Sequence, residues 1–176
     1  EMTYYGAKVI HPKTIKPLQN KNIPLFVKSF INPEGRGTKI HAEAEDNYPP
    51  MVAVEKDQAL LNISTRDFSF VAEQHLSLLF SKIARHRLQV NMMQNTAISF
   101  SVCVNDIDDR VERFAEEINE SFKSSVERDL QLITIRHYRE ETIEQLIKDK
   151  IVLQETRLRG TIQMVVKSVA TMKWRE

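Results

Sequence analysis

A chain of 176 residues holds one ordinary domain, or two small ones plus a tail. With 41% apolar and 28% charged residues it is globular rather than disordered, and 25 basic against 24 acidic side chains, interspersed, argue against nucleic acid or an acidic membrane as partner. Apolar runs of only a few residues exclude a membrane-spanning helix, and the single cysteine, Cys103, excludes an internal disulfide and suits the reducing cytoplasm. Residues 1–20 carry lysines, prolines and a histidine where a signal peptide needs an apolar core. An opening on Glu1 rather than methionine is expected of a start inside a longer protein.

In chain order, Val9, Ile10, Ile15 and Leu18 mark a helix-like run that Pro12 opens and Pro17 interrupts. Ile23–Val27 is a nearly continuous apolar run, expected as a strand buried on both faces in a parallel sheet. Asn32-Pro33-Glu34-Gly35-Arg36-Gly37-Thr38 is turn chemistry, and residues 41–50 read as an acidic, proline-ended linker. Leu60–Thr65 is a short strand, and the spacing of Ala72, Leu76, Leu79, Phe80, Ile83 and Ala84 predicts a helix over 68–86. Leu88–Met92 alternates like a strand. Ala97–Val104 alternates most cleanly, with Ile98, Phe100, Val102 and Val104 on one face and Ser99, Ser101 and Cys103 on the other. Asp106, Asp108 and Asp109 favour a helix start, followed by a stripe of Val111, Phe114, Ala115, Ile118 and Phe122. A shorter second copy follows: a strand at 130–138, a helix from Glu140 with Ile143, Leu146 and Ile147, and two strands, 151–157 and 161–168, hinged near Gly160. Its second long helix is missing. Units of this β-α-β-β-α order predict an α+β fold with helices on one face of antiparallel sheets, paired because each core is thin.

The strings GAKVIHPKTIKPL, NIPLFVKSF and NPEGRGT, in that order and spacing, resemble the end of the aspartokinase catalytic domain, and IARHRLQVNMMQNTAISFSVCVND resembles the first of the two ACT domains that follow it there. The resemblance is close over residues 5–123 and looser over 125–170. It implies a remnant of an α/β amino-acid kinase domain at 1–45, a first ACT-type (ferredoxin-like) β-α-β-β-α-β unit at 51–124 and a second, truncated one at 125–170. It also implies the function: the regulatory region of aspartate kinase, which converts ATP and L-aspartate to 4-phospho-L-aspartate. Such a region binds an amino-acid feedback effector, lysine or threonine, and forms a homodimer through its ACT domains. The kinase's K-F-G-G opening and its other amino-terminal motifs are absent from these 176 residues, so this stretch alone is expected to be inactive, with no cofactor of its own. ATP with magnesium is expected as substrate of the parent enzyme.

An amino-acid effector needs backbone donors for its carboxylate and polar acceptors for its ammonium. The resemblance implies that Ser69, Phe70, Val71 and Ala72, in the loop entering a helix, and Asn91, Gln94, Asn95 and Thr96, on the facing strand, supply them. Asn91 stands where lysine-sensitive relatives carry an aspartate, and Gln74 where they carry a glycine, so the effector stays open between lysine and threonine. A ligand-free ACT dimerisation module is the other reading. Asn32 and Pro33 would lie beside the nucleotide of the parent enzyme, although a plain strand-ending turn explains them equally and no Walker A pattern runs through Gly35 or Gly37. His11 reads as a buried capping residue, and His41, His75, His86 and His137 lack metal-ligand spacing, so no metal site is expected. Cys103 reads as a packing thiol.

Overall fold

Two strands of 15 residues organise the fold. In the computed structural model, which describes residues 10–41, 48–67 and 69–171, the elements run α1 (Pro12–Asn20), β1 (Leu25–Val27), β2 (Thr38–Ile40), β3 (Met51–Thr65), α2 (Glu73–Arg85), β4 (Val90–Asn95), β5 (Ser99–Asn105), α3 (Arg110–Ile118), β6 (Phe122–Arg136), α4 (Glu140–Ile147), β7 (Lys150–Leu158) and β8 (Thr161–Ser168). A 3₁₀ turn, Val169–Thr171, follows. Val9, most of the expected linker and Phe68 lie outside the described residues.

β3 and β6 lie antiparallel at the centre of a six-stranded sheet in the order β4-β5-β3-β6-β8-β7. Each is broken by one aspartate in the left-handed region, Asp57 (φ 55°) and Asp129 (φ 58°), with register shifts between Glu55 and Leu60. The breaks divide the sheet into two similar halves. In the first, Gln58–Ser64 pairs with β5, and Leu60–Thr65 pairs with Phe122–Glu127. In the second, Leu130–Arg136 pairs with β8 and Leu132–Arg136 pairs with Met51–Glu55. Each half is thus completed by an end of the other half's central strand.

The α+β expectation holds, with helices packed on antiparallel strands. Leu79 and Ile83 of α2 and Val111, Phe114 and Ile118 of α3 are buried against Leu61, Ile63, Phe100, Val102 and Val104. In the second half α4 contributes Ile143 over Ile133, Ile135, Ile162 and Met164. A third cluster, Leu60, Met92, Cys103, Leu130, Leu132 and Val165, is buried with Leu153 packed against it. It contains no helical residue. Met92 and Leu153 come from the two outermost strands, so the sheet curls and its own concave side encloses this core. Cys103 is therefore enclosed by its own chain, and the Ser99, Ser101 and Cys103 face is not the open, small-residue surface that alternation implies. Ile98 stays exposed instead of joining Phe100.

Several expectations change. The apolar run at 23–27 is not a buried parallel strand: β1 pairs antiparallel with β2 in a two-stranded sheet, and Phe26 is 56% exposed. α1 runs through Pro17 to Asn20, forgoing the one backbone bond to the Lys13 carbonyl that a proline cannot donate. His11 does cap α1, its Nδ1 accepting from the Lys13 N–H at 3.2 Å, but it is exposed rather than buried. Phe122 belongs to β6 and not to α3, although it fills the same core. Leu60–Thr65 is the end of the much longer β3. The helix expected from 68 begins at Glu73. In the second half one helix packs on the sheet where the first has two, and Val52 and Val54, which share a face with Ile135 and Ile133, are 42% and 45% exposed.

The β7–β8 turn gives a first test. Leu158 pairs with Thr161 across two residues with positive φ, Arg159 (45°) and Gly160 (77°), the geometry of a type I′ hairpin. Gly160→Ala is expected to destabilise the chain by about 1–2 kcal/mol, because a Cβ is penalised in this backbone region even where space is open. Urea midpoints of the two proteins check this, and an unchanged midpoint would contradict it.

Candidate functional site

The loop after β3 is shaped by its own side chains. Thr65 Oγ1 donates to the Ser69 carbonyl at 2.6 Å, and Asp67 Oδ1 accepts from the Ser69 N–H at 3.1 Å. Hydrogen bonding from the Ser69 side chain foremost, then from its N–H, holds the Asp67 carboxyl below its usual range. The Val71 N–H donates to the Ala97 carbonyl at 2.8 Å, which fixes the loop beside the β4–β5 turn. The turn is closed in its own right: the Thr96 N–H donates to the Ser99 carbonyl at 2.8 Å, and the Thr96 and Ser99 hydroxyls lie 2.7 Å apart.

Ser69, Phe70, Val71, Ala72, Gln94, Asn95 and Thr96 are thereby brought to one end of the sheet. Val71 is buried, while the other six are exposed, Phe70 at 72%. Ala72 precedes α2 without a side-chain acceptor, and His75 Nδ1 accepts from the Ala72 N–H at 3.2 Å. Three loop donors are therefore engaged within the chain, those of Ser69, Val71 and Ala72. The first-turn N–H groups of Glu73 and Gln74 have no intrahelical acceptor and point out of the helix end, where its dipole favours an anion.

Asn91 is not part of this group. Its Nδ2 donates to Gln58 Oε1 at 2.8 Å and to Asn105 Oδ1 at 2.6 Å. Gln58 Nε2 in turn donates to Asn105 Oδ1 at 2.9 Å and to the Lys56 carbonyl at 2.9 Å, and Asn105 Nδ2 donates to Gln89 Oε1 at 3.2 Å. This row of amides crosses β3, β5 and β4 at the level of the Gln58–Asn105 pair, whereas the loop leaves β3 beyond the Ser64–Ser99 pair. Six residues of strand separate those levels, about 20 Å. Sequence reasoning missed Gln58 and Asn105; the one signal was a glutamine ahead of the apolar run Ala59-Leu60-Leu61.

Cys103, beside the amide row, is a buried thiol whose Sγ lies 3.5 Å from Gln58 Oε1. Burial, with a lesser contribution from Glu55, pushes it up to about 12, so almost no nucleophilic thiolate forms at neutral pH. At the amino-terminal turn the Ser29 hydroxyl accepts from the Asn32 N–H at 3.3 Å, and Lys28 Nζ donates to the Pro33 carbonyl at 3.1 Å. A cleft of about 530 Å³ lies in that unit between Ile15, Leu18, Ile23, Leu25 and Ile40, lined by none of the loop residues. No helix among the described residues is long and apolar enough to cross a membrane.

Behind the loop, Glu117 of α3 meets Lys82 and Arg85 of α2 and His86 just after it: Lys82 Nζ at 2.9 Å, Arg85 Nη1 at 2.7 Å and His86 Nε2 at 2.5 Å. The Lys82 bond foremost, then His86, lowers the Glu117 carboxyl from 4.5 to about 2. A depressed carboxyl contributes stability that is complete above its unfolded value and disappears as pH falls through its folded one. Glu117→Gln should therefore lower the melting temperature at neutral pH, and its difference from the parent should shrink between pH 4.5 and about 2. Melting curves across that range check this; a difference that stays constant to pH 2 would contradict it.

An antiparallel sheet carrying helices, in β-α-β-β-α-β order, with a loop-to-helix entry beside a polar strand end, is an ACT-type fold. No family model matches the chain. The lysine-sensitive aspartokinase 3 of Escherichia coli is 30% identical over 112 residues, which cover 60% of this chain and 23% of that protein. Crystal structures of Escherichia coli aspartokinase III superpose with TM-scores of 0.70, in complex with lysine and aspartate, and 0.71, in complex with aspartate and ADP. Both are 20% identical; they cover 94% and 91% of this chain, and 40% and 39% of the solved chains. The aspartate kinase of Clostridium acetobutylicum superposes with a TM-score of 0.78 at 16% identity, over 96% of this chain and 43% of its own. In sequence and in fold, the chain matches the ACT-domain region of aspartokinases. It spans less than a quarter of the length of the aspartokinase 3 it resembles.

Proposed function

We propose that the chain is the amino-acid-sensing region of an aspartate kinase, with the loop Ser69–Ala72 and the strand end Gln94–Thr96 forming the effector site. The observation that carries this reading is the Val71–Ala97 hydrogen bond, which sets the loop and the first turn of α2 against the polar end of β4. An effector carboxylate would meet the Glu73 and Gln74 N–H groups, and its ammonium the side-chain oxygens of Gln94, Asn95 and Thr96. Lysine or threonine is the expected effector; the lysine-sensitive relative and its complex with lysine support the class of ligand. ACT-type units at 51–124 and 125–170, behind a kinase remnant at 1–45, belong to the same reading, as does a homodimer through the ACT units. In the parent enzyme, Asn32 and Pro33 would flank the nucleotide, ATP with magnesium being the phosphoryl donor. A coupled ATP–aspartate assay on the 176 residues alone should register no turnover.

Titration calorimetry with lysine, threonine and methionine tests the effector site. A saturable heat with one of them supports it, and flat traces with all three would sink it. The second reading, a dimerisation module without ligand, is favoured by the amide row, where Asn91 is held by neighbours rather than left open. β4 also favours pairing: it is an outer strand without a single charge, carrying exposed Met93 and followed by exposed Ile98. On that reading light scattering gives a dimer mass that no amino acid alters.

A further inference from the structure

Besides the Val71–Ala97 bond, two polar contacts hold the loop and α2 to the first half, and both lie on the C-terminal end of α3. At the loop, Arg66 Nε donates to the Asn119 carbonyl at 2.9 Å, and its Nη2 donates to the same carbonyl and to Asn119 Oδ1, the latter at 2.8 Å. At the far end of α2, Lys82, Arg85 and His86 converge on Glu117. The helix dipole explains Arg66, a cation at a helix C-terminus. It opposes Glu117, an anion in the last turn of α3, so the Lys82 and Arg85 cations and the His86 ring are what hold a carboxylate there.

Exposed ion pairs contribute little, and the Arg85 side chain, 69% exposed, is of that kind. Lys82 and His86 are different, with side chains 17% and 15% exposed. The His86 ring also stands edge-on to buried Phe114, at 6.0 Å between centroids. α2 gives the core Leu79 and Ile83, with Val71 just ahead of it, Leu76 partly buried and the Phe80 ring edge-on to Phe100 at 5.6 Å. An apolar stripe alone sets the rotation of a helix less sharply than polar contacts at its two ends do.

We infer that Glu117 and Asn119 are positioning residues: with Arg66 they pin both ends of the loop–α2 segment and so set where the first-turn N–H groups stand relative to Gln94–Thr96. The claim deepens the effector-site reading, on which its regulatory meaning rests, but the pinning itself needs no ligand.

Amide hydrogen exchange on the whole chain tests it, comparing the parent with Glu117→Gln, which keeps the side chain's shape, and with Arg66→Gln. Each variant should speed exchange at residues 69–76 by about tenfold, well beyond any change in the central strands at 60–63 and 101–104, which follow only the loss of global stability. Glu117→Asp, which keeps the charge, should restore part of the protection. Acceleration by one common factor in the loop, α3 and the sheet would reduce Glu117 to a general stabiliser and overturn the inference, as would an unaltered loop. Calorimetry of the parent chain with lysine and threonine decides the effector reading separately: flat traces remove the effector while the exchange pattern still judges the pinning.

Discussion

Phe114→Ala is expected to lower the unfolding free energy by about 3–5 kcal/mol, among the largest effects of any single truncation in the chain. Phe114 is fully buried, packed with Val111, Ile118 and Phe122 under α3, and it carries the His86 ring on its edge. α3 is only nine residues long, so its place on the sheet depends on three side chains of which Phe114 is the largest. Domains of this kind are stable by about 5–15 kcal/mol, so the loss is roughly a fifth or more of the total. Because β3 and β6 run through both halves, the damage should not stay local: circular dichroism in urea and loss of protection in the second half should report one coincident transition. A loss below about 1 kcal/mol, or a second half that survives alone, would contradict this account of the core.

Asn91→Ala is expected to cost about 1–3 kcal/mol of stability even without any ligand. The buried Gln58 side chain keeps its bonds to Lys56 and Asn105, but its Oε1 loses the Asn91 donor and is left with only the weak Cys103 thiol. Asn91→Asp should be worse than its similar size implies, because a carboxylate would face the oxygens of Gln58 and Asn105 where a donor is needed. If Asn91 also contacts the effector, the alanine variant should weaken amino-acid binding by roughly ten- to a hundredfold, the equivalent of about 1.5–3 kcal/mol for a bond to a charged group. Chemical denaturation and calorimetry on the same variant separate the two roles. Full stability with weakened binding fits the effector contact alone, whereas lost stability with unaltered binding removes Asn91 from the site.

Much of this fold was legible wherever a single period held. β5, α3, α4 and the β7–β8 hairpin stand close to where alternation, helical stripes and Gly160 put them. The two central strands were not, and the reason is local. Asp57 and Asp129 adopt positive φ and shift the alternation by a residue, so each 15-residue strand reads as a fragment beside a loop. Phe122 continued the four-residue spacing from Phe114 and Ile118, and only the chain's turn at Asn119 hands it to β6. The candidate site divides in the same way. The loop and the β4–β5 turn could be paired by resemblance, and a single backbone bond joins them. The partners of Asn91 lie 33 and 14 residues away in sequence, on strands whose register no local pattern reveals. Nothing in the spacing around Glu117 announces that Lys82, Arg85 and His86, at the end of another helix, meet on it.

The central claim is that the loop at Ser69–Ala72 and the strand end at Gln94–Thr96 form one amino-acid site. Two-dimensional NMR of the isotope-labelled chain, titrated in turn with lysine, threonine and methionine, tests it most directly. The account predicts saturable shifts from one of the three, concentrated at residues 69–75 and 94–97, with the sheet centre at 130–135 unmoved. Spectra that stay unaltered with every amino acid up to about ten millimolar, or shifts that fall outside those two segments, would contradict it.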